Sequence, residues 1–257
     1  MPSVPTPLEV VARHPLLREL TAPALRGLVA DSTQVCLRPK RVVLREGDPP
    51  TCAYFLLSGA VRVFHRAGDA EYLLKLFRGP ALFGEMEVMT RRPFLEHVVT
   101  LVPSELLTVP AETFRSLVDS QPRFASVLAY DLASRLCIAA HNLRGLAFGN
   151  LENRLAHLLL DYAALFGQDH AGEVRLELAL SQEMMARDLA VSRKAINDAL
   201  TELKRRRFLE KRQARYVLTA PAQLRALSTG TLSLGFQSDA RRGPPLLPLS
   251  QSDRRAR

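Results

Sequence analysis

The sequence predicts an α+β chain in which a β-rich N-terminal half is joined by one long helix to a C-terminal helix-turn-helix with a small wing. Three observations carry that expectation. Between Thr33 and Val109, short β-branched and aromatic runs alternate with breaks such as Glu46-Gly47-Asp48-Pro49-Pro50, Ser58-Gly59 and Arg78-Gly79-Pro80. That texture belongs to a sandwich or barrel. From Pro122 the apolar residues Phe124, Leu128, Leu132, Leu136, Ala139, Leu143 and Leu146 recur at steps of three and four, a narrow helical stripe. Finally, SQEMMARDLAVSRKAINDALTEL, Ser181 to Leu203, divides into two amphipathic helices around a turn at Ala190-Val191-Ser192.

Charge separates the two ends of the chain. Residues 1–180 hold 19 Lys+Arg against 19 Asp+Glu; of the totals of 35 and 26 this leaves 16 against 7 for residues 181–257, the whole net charge of +9. An excess confined to the last third points to a polyanion partner for that part alone. A basic solubilising tail explains only some of it, because residues 181–219 already hold 10 basic against 5 acidic residues. Cys36, Cys52 and Cys137 are far apart with no C-x-x-C pair, which argues against a disulfide framework, a zinc site or an iron–sulfur cluster, so no metal ligands are assigned. The start MPSVPTPLEVVARHP lacks a signal-peptide pattern, and no apolar run approaches the ~20 residues of a membrane span. A cytoplasmic protein with no membrane partner is expected. The P-loop, G-x-S-x-G and H-E-x-x-H patterns are missing and no acid–base constellation stands out, so no catalytic residue is assigned and an enzyme is not expected.

In chain order, Leu8 to Ala30 has helical spacing, with Pro23 opening a second short helix. The runs RVVLRE, AYFLLSG, AVRVFHR, EYLLKLF, HVVTLV and ELLTV are the expected strands. Ala111 to Ser120 forms a short helix. The long helix follows, and its stripe (Phe124, Leu128, Leu132, Leu136, Leu143) reads as a two-stranded coiled-coil seam; packing on its own β domain is the competing reading. Gly145 and Phe148-Gly149-Asn150 break the pattern as a hinge, with Asn150 capping Leu151 to Phe166. Gln168 to Glu173 reads as a loop and Val174 to Leu178 as a short strand. After the helix-turn-helix, Phe208-Leu209-Glu210 and Arg215 to Leu218 read as a hairpin with Lys211, Arg212, Gln213 and Ala214 at its tip, a basic wing. Ala222 to Leu227 is a last helical turn, and the rest should be disordered.

The second helix of the helix-turn-helix presents an apolar and a polar face. Ile196, Ala199, Leu200 and Leu203 form its apolar face, while Arg193, Lys194, Asn197, Asp198 and Thr201 lie opposite. Ser192 occupies the N-cap position, which turns the positive end of the helix outward beside two cations. A helix presented in this way suits a DNA major groove.

The order of these elements, with several local motifs, resembles the Crp–Fnr family of bacterial transcription regulators. Arg45-Glu46-Gly47-Asp48, Tyr54, Leu56-Leu57-Ser58-Gly59 and Val61-Arg62-Val63 resemble the opening strands of a cyclic-nucleotide-binding β-roll. Leu82-Phe83-Gly84-Glu85 resembles the start of its phosphate-binding cassette. Leu146-Ala147 with Asn153-Arg154-Leu155-Ala156 resembles the hinge and following helix, and Val191-Ser192-Arg193 with Ile196 and Leu200 the recognition helix. The resemblance covers roughly residues 15–225. It implies a β-roll effector domain over 8–121, a dimerisation helix and hinge over 122–148, a winged helix-turn-helix over 149–227 and a disordered basic tail over 228–257. It also implies a homodimer, a double-stranded DNA operator and RNA polymerase as partners.

The resemblance further implies which residues meet ligands. Arg193 aligns with the arginine that reads guanine, a contact worth ~1–3 kcal/mol of discrimination. Lys194 and Asp198 stand where glutamate and arginine are frequent in the family, so a different operator is expected, and Asn197 is a candidate reader of adenine. Ser181, Ser192, Arg212 and Arg215 are candidate phosphate contacts. In the effector pocket Gly84 and Glu85 match the family, but the arginine and hydroxyl that hold a cyclic phosphate become Leu95 and Glu96, and the adenine-contacting pair becomes Ala139-Ala140. Losing the arginine removes a charge-assisted contact worth ~1.5–3 kcal/mol. Cyclic AMP held in the usual way is therefore not expected unless a shifted register brings in Arg91 or Arg92, and no cofactor is assigned. The effector is left open, with a cyclic dinucleotide as one candidate and haem, through His65, His97 or His141, as a weaker one. The alternative to a DNA-binding regulator is a ligand-sensing scaffold that works through protein contacts, its DNA head degenerate.

Overall fold

The computed structural model describes residues 14–68, 70–148 and 150–229, the side chains of 141–148 and 229 excepted. The expected tail beyond Thr229, the loose start, Gly149 and the side chains of Leu143 and His141 lie outside the described residues.

The chain enters through a 3-10 turn, Leu17–Glu19, and α1, Ala22–Asp31. The second short helix expected at Pro23 is α1: Thr21 accepts from the Ala24 N–H at 3.4 Å and Pro23 stands in its first turn. Strands β1 (Thr33–Leu37), β2 (Val42–Leu44), β3 (Cys52–Ser58), β4 (Ala60–Ala67), β5 (Ala70–Arg78) and β6 (Ala81–Phe83) follow, then the short α2 (Glu85–Thr90), β7 (His97–Thr100) and β8 (Ser104–Pro110). They make two antiparallel four-stranded sheets of order β1-β8-β3-β6 and β2-β7-β4-β5. Between the sheets lie Leu44, Leu56, Val61, Val63, Phe83, Phe94, Val98 and Leu106. The tight turn from β3 to β4 depends on Gly59, at φ +92°, where an added Cβ would sit 2.4 Å from Ser104 Oγ and 2.5 Å from Pro103 O.

Helices α3 (Ala111–Ser120) and α4 (Pro122–Phe148) leave the roll. The apolar stripe of α4 divides between two environments. Phe124 and Leu128 are buried in the chain's own core with Leu17, Leu28, Phe55 and Phe114, and Leu132 packs at its edge. Their assignment to a dimer seam is corrected: the first two turns of α4 are covered by α3 and the N-terminal segment. Leu136, in contrast, is 71% exposed, with Tyr130 at 57% and Ile138 also exposed.

The C-terminal part consists of α5 (Leu151–Phe166), β9 (Gly167–His170), β10 (Glu173–Leu176), α6 (Gln182–Asp188), α7 (Arg193–Arg205), β11 (Leu209–Arg212), β12 (Arg215–Leu218) and α8 (Pro221–Thr229). Its sheet runs β11-β12-β10-β9. The expected loop from Gln168 is instead an edge strand paired with β10 through a turn at Ala171-Gly172; its residues are mostly exposed, so ladder bonds rather than an apolar pattern define it. Helix α8 runs two residues past the expected domain boundary. Leu155, Leu159, Tyr162, Met185, Ile196, Leu200, Leu203 and Leu224 fill the core. Leu73, Leu76 and Leu101 of the roll pack against this same core, and Tyr72 of β5 forms an antiparallel bridge with Leu189 just past α6.

Candidate nucleic-acid interface and effector site

The recognition helix is fixed by two serine caps and one strained turn. Ser181 Oγ accepts from the Met184 N–H at 3.0 Å and Ser192 Oγ accepts from the Ala195 N–H at 3.1 Å. Both hydroxyls are thus engaged with their own helices, and a phosphate in their vicinity meets the remaining free N–H groups of the first turn. Ala190, at φ +51°, makes the turn between α6 and α7, and the Val191 N–H closes it on Ala186 O at 3.0 Å. Ile196, Ala199, Leu200 and Leu203 are buried, which leaves Ser192, Arg193, Lys194, Asn197 and Asp198 on the exposed side. Among the described residues, neither Arg193 nor Lys194 forms an ion pair or a side-chain hydrogen bond.

The other expected DNA contacts are placed less simply. Asn197 Oδ1 accepts from Gln182 Nε2 at 3.0 Å, so a bidentate contact to adenine requires that bond to open. Asp198 lines an open depression between α7 and the first turn of α5 with Asn150, Leu151 and Glu152, at the flank of the reading face. Arg212, a candidate phosphate contact, is already paired: its guanidinium is held by Glu173 on β10, at 2.5 and 3.1 Å, and by Glu210 at 2.8 Å. Those hydrogen bonds push its pKa up and neutralise the charge locally. The wing turns at Gln213-Ala214, both at positive φ; Arg215 starts the return strand, and Lys211 lies over the Tyr216 ring at 5.6 Å. At the end of α7, Arg205 and Arg206 both hold Glu202, whose carboxyl is pulled down to about 2 by their hydrogen bonds.

At the candidate effector site of the roll, Arg135 of α4 reaches across to α2. Gly84, at φ +75°, caps α2, where an added Cβ would press on Phe94 and Tyr54 at 3.2 Å. Glu85 behind it is fully buried. Its Oε1 accepts from Arg135 Nη1 of α4 at 2.7 Å, and Oε2 has no partner among the described residues. Burial pushes the Glu85 carboxyl up to about 7 against the pull of Arg135. Arg135 also pairs with Asp131 and lies over the Phe77 ring at 5.0 Å. Lys75 approaches that ring too, at 4.6 Å, its pKa lowered to about 8 by burial and then by Arg135. Leu95 is more than half exposed, and burial, with Glu87 and Glu46 nearby, raises Glu96 to about 7. Ala139 and Ala140 are exposed on α4. Arg91, the candidate from a shifted register, lines instead a depression of α3 with Glu112, Arg115 and Asp119; Arg92 is exposed. His65 Nδ1 and His97 Nε2 each lie 3.7 Å from Glu46 Oε2, and His97 stacks on Phe64. Among the described residues no group of three or more His, Cys, Asp or Glu is placed to hold a metal ion.

Sequence reasoning missed two polar groups. One is Arg135, which occupies the site beside Glu85. The other joins roll to head: Arg62, Glu71, Tyr162 and Asp188 meet in one buried network. A signal for it did exist, since Asp188 stands three residues after Met185 in the buried stripe of α6, where an apolar residue belongs.

Two family models match in register with these elements. The cyclic nucleotide-binding domain matches residues 34–146 and the Crp-like helix-turn-helix domain residues 153–227. The chain is 28% identical over 202 residues to a CRP-like cAMP-activated global transcriptional regulator of Mycobacterium tuberculosis, covering 78% of this chain and 90% of that one. It is 26% identical over 188 residues to the global nitrogen regulator of a Nostoc species, covering 72% and 84%. Among solved structures, the c-di-GMP-responsive global regulator CLP of Xanthomonas campestris superposes with a TM-score of 0.67 at 23% identity, over 78% of this chain and all of that one. A Crp/Fnr-family regulator from Eubacterium rectale gives 0.68 at 15% identity, over 83% and 97%. With the roll, the long helix and the capped recognition helix in place, the chain belongs to the Crp–Fnr family of transcription regulators and carries that family's DNA-binding helix-turn-helix.

Proposed function

We propose that this protein is a homodimeric regulator that reads a specific DNA operator through α7, joins its partner along α4 and does not take cyclic AMP in the usual way. The observation that carries the DNA part is the pair Arg193-Lys194, exposed and without ion pairs among the described residues at the capped N-terminus of α7. That arrangement matches a recognition helix whose N-terminal residues contact base edges. The dimer rests on the outward strip of α4, where Tyr130, Ala133, Leu136, Cys137 and Ala140 are exposed. A strip of large and small apolar groups on one helix is the surface a second copy covers. The cyclic AMP part rests on Leu95 and Glu96 in the cassette and on Glu85 being held by Arg135. A carboxylate at Glu96 repels a phosphate, and Arg135 already takes one of the two Glu85 oxygens.

Duplexes selected from a random pool should contain two inverted half-sites about 10–10.5 base pairs apart, bound with a steep salt dependence. Arg193→Ala should relax one base position in each half-site at a cost of about 1–3 kcal/mol. Selection of no duplex at moderate salt overturns the DNA reading and favours a scaffold acting through protein contacts. Leu136→Glu should yield a monomer in sedimentation; a monomeric wild type refutes the dimer. Cyclic AMP at micromolar concentration should leave Tm unchanged, and a saturable rise contradicts the third part.

A further inference from the structure

The junction between roll and head is polar at its centre, although Arg62, Glu71 and Asp188 there are buried. Arg62 on β4 donates through Nε to Asp188 Oδ1 at 2.6 Å, and Nη2 lies at the same distance from that oxygen. Its Nη1 donates to Glu71 Oε2 on β5 at 2.7 Å, while Arg66 holds the other Glu71 oxygen at 2.7 Å. From the head, the Tyr162 hydroxyl of α5 donates to Asp188 Oδ2 at 2.8 Å. Arg62, Glu71 and Asp188 are all buried, Asp188 completely, and the Arg62 guanidinium stacks on Phe64 at 4.2 Å. Burial alone would lower the pKa of Arg62, but Asp188 and Glu71 outweigh it and hold the charge in place.

Each element contributes something the others lack. Asp188 ends α6, the helix that positions the recognition helix, and Tyr162 ties it to the framework of the head. Arg62 and Glu71 belong to the β4–β5 hairpin; Leu76 is the cross-strand partner of Arg62, and its neighbours Lys75 and Phe77 lie beside Arg135 and the candidate effector site. Two backbone contacts flank the network: the Tyr72–Leu189 bridge and the donation from Arg154 Nη2 to Leu189 O at 2.5 Å. A buried arginine placed between two carboxylates from different domains cannot be removed from one side without leaving a charge unpaired in the interior. On separation Asp188 keeps only the Tyr162 hydroxyl, whereas Arg62 keeps Glu71 on its own hairpin.

We infer that Arg62, Glu71, Asp188 and Tyr162 form a latch that fixes the orientation of the DNA-binding head on the β4–β5 hairpin. The latch positions the head and does not mask it, because Arg193, Lys194, Asn197 and Asp198 remain exposed while it is closed. Motion of the hairpin at the effector end is thereby transmitted to α6 and α7. The consequence for DNA rests on the regulator reading above; the latch itself does not.

Hydrogen exchange on the full-length protein tests it. Asp188→Asn keeps the acceptor for Tyr162 but removes the charge, and Arg62→Met removes the hairpin's side of the contact. Both should raise exchange in residues 70–78 and 184–192 together by about tenfold or more, the size expected when a local opening becomes easier. Residues 52–58 and 196–203 should stay as in the wild type. If residues 70–78 exchange at the wild-type rate in Asp188→Asn, the latch is refuted, and that variant decides should Arg62→Met unfold the head. Operator affinity should fall by about tenfold in Asp188→Asn, since freed heads must be reordered on binding; unchanged or tighter binding overturns the positioning role. If the wild type selects no duplex, the regulator reading fails while the exchange result still judges the latch.

Discussion

His14 gives the roll an acid sensitivity whose size follows from its surroundings. The imidazole is buried at the entrance of the chain, edge-on to Phe55 with ring centroids 5.0 Å apart, and neither ring nitrogen finds a hydrogen-bond partner among the described residues. Burial lowers its pKa from 6.5 to about 4; the Ala81 backbone offsets part of that without making a bond of normal geometry. Above pH 6.5 the ring is neutral in both the folded and unfolded chain, so it has no effect on the pH dependence. As the pH falls below 6.5 the unfolded chain gains a proton that the folded chain refuses, and stability drops until the folded ring titrates near 4. At about 1.4 kcal/mol per tenfold change in protonation, the loss between pH 7.5 and pH 4.5 is about 2.5 kcal/mol. Glu85 works in the opposite direction. Its carboxyl, raised from 4.5 to about 7, is protonated more readily in the folded chain, so it adds stability as the pH falls from 7 towards 4.5.

Glu96, also raised to about 7, acts in the same direction as Glu85, so the wild-type profile alone cannot isolate His14. His14→Leu can, because it keeps the volume and removes only the ring. Urea denaturation followed by circular dichroism should show the variant at least as stable as the wild type at pH 7.5, since an unpaired buried polar group is lost. At pH 4.5 the variant should lead by about 2.5 kcal/mol more. A lead that grows by less than about 1 kcal/mol, or shrinks, refutes the argument.

Two backbone positions offer independent checks. Ala190 holds the turn of the helix-turn-helix at φ +51°, so Ala190→Gly should stabilise the head by about 0.5–1 kcal/mol in the same denaturation assay and leave the selected duplex sequence unchanged. Gly59→Ala should do the reverse to the roll: a Cβ at 2.4–2.6 Å from Ser104 and Pro103, at φ +92°, should cost about 3 kcal/mol or more, seen as a drop in Tm with operator specificity retained.

What was legible in the sequence depended on period and on caps. Asn150 and Ser192 announced the helices they start, and both accept the expected N–H bonds. The strands with apolar alternation were visible; β9, which is polar and exposed, was not, because only its pairing to β10 defines it. The stripe of α4 was read in full from its spacing, but spacing cannot say which neighbour covers each turn. Phe124 and Leu128 turned inward because α3 and the N-terminal segment occupy that side. Likewise charge was legible as a total and not as a pairing. Arg212 looked like a free cation of the wing until Glu173, thirty-nine residues away in sequence, was placed opposite it. Long-range partners of charged side chains are set by the fold, and no local pattern encodes them.

That limit bears directly on how the protein can respond to a signal. Within the roll and within the head the cores are apolar and continuous, so their packing resists small displacements. At the junction the centre is an arginine between two carboxylates, with Leu73, Leu76 and Leu101 packed on the head core nearby. Such a contact is geometrically demanding: a shift that lengthens its 2.6–2.7 Å bonds exposes charge to a dry interior, whereas the same shift between leucines loses only part of their dispersion attraction. The two domains are therefore stiff where they are apolar and switch-like where they meet. Arg135, beside Glu85, lies over Phe77 of β5, the strand that also supplies Glu71, so a ligand that reaches Glu85 meets a side chain in touch with that strand. The path inferred above then runs along one hairpin and crosses to the head at the Arg62–Asp188 pair.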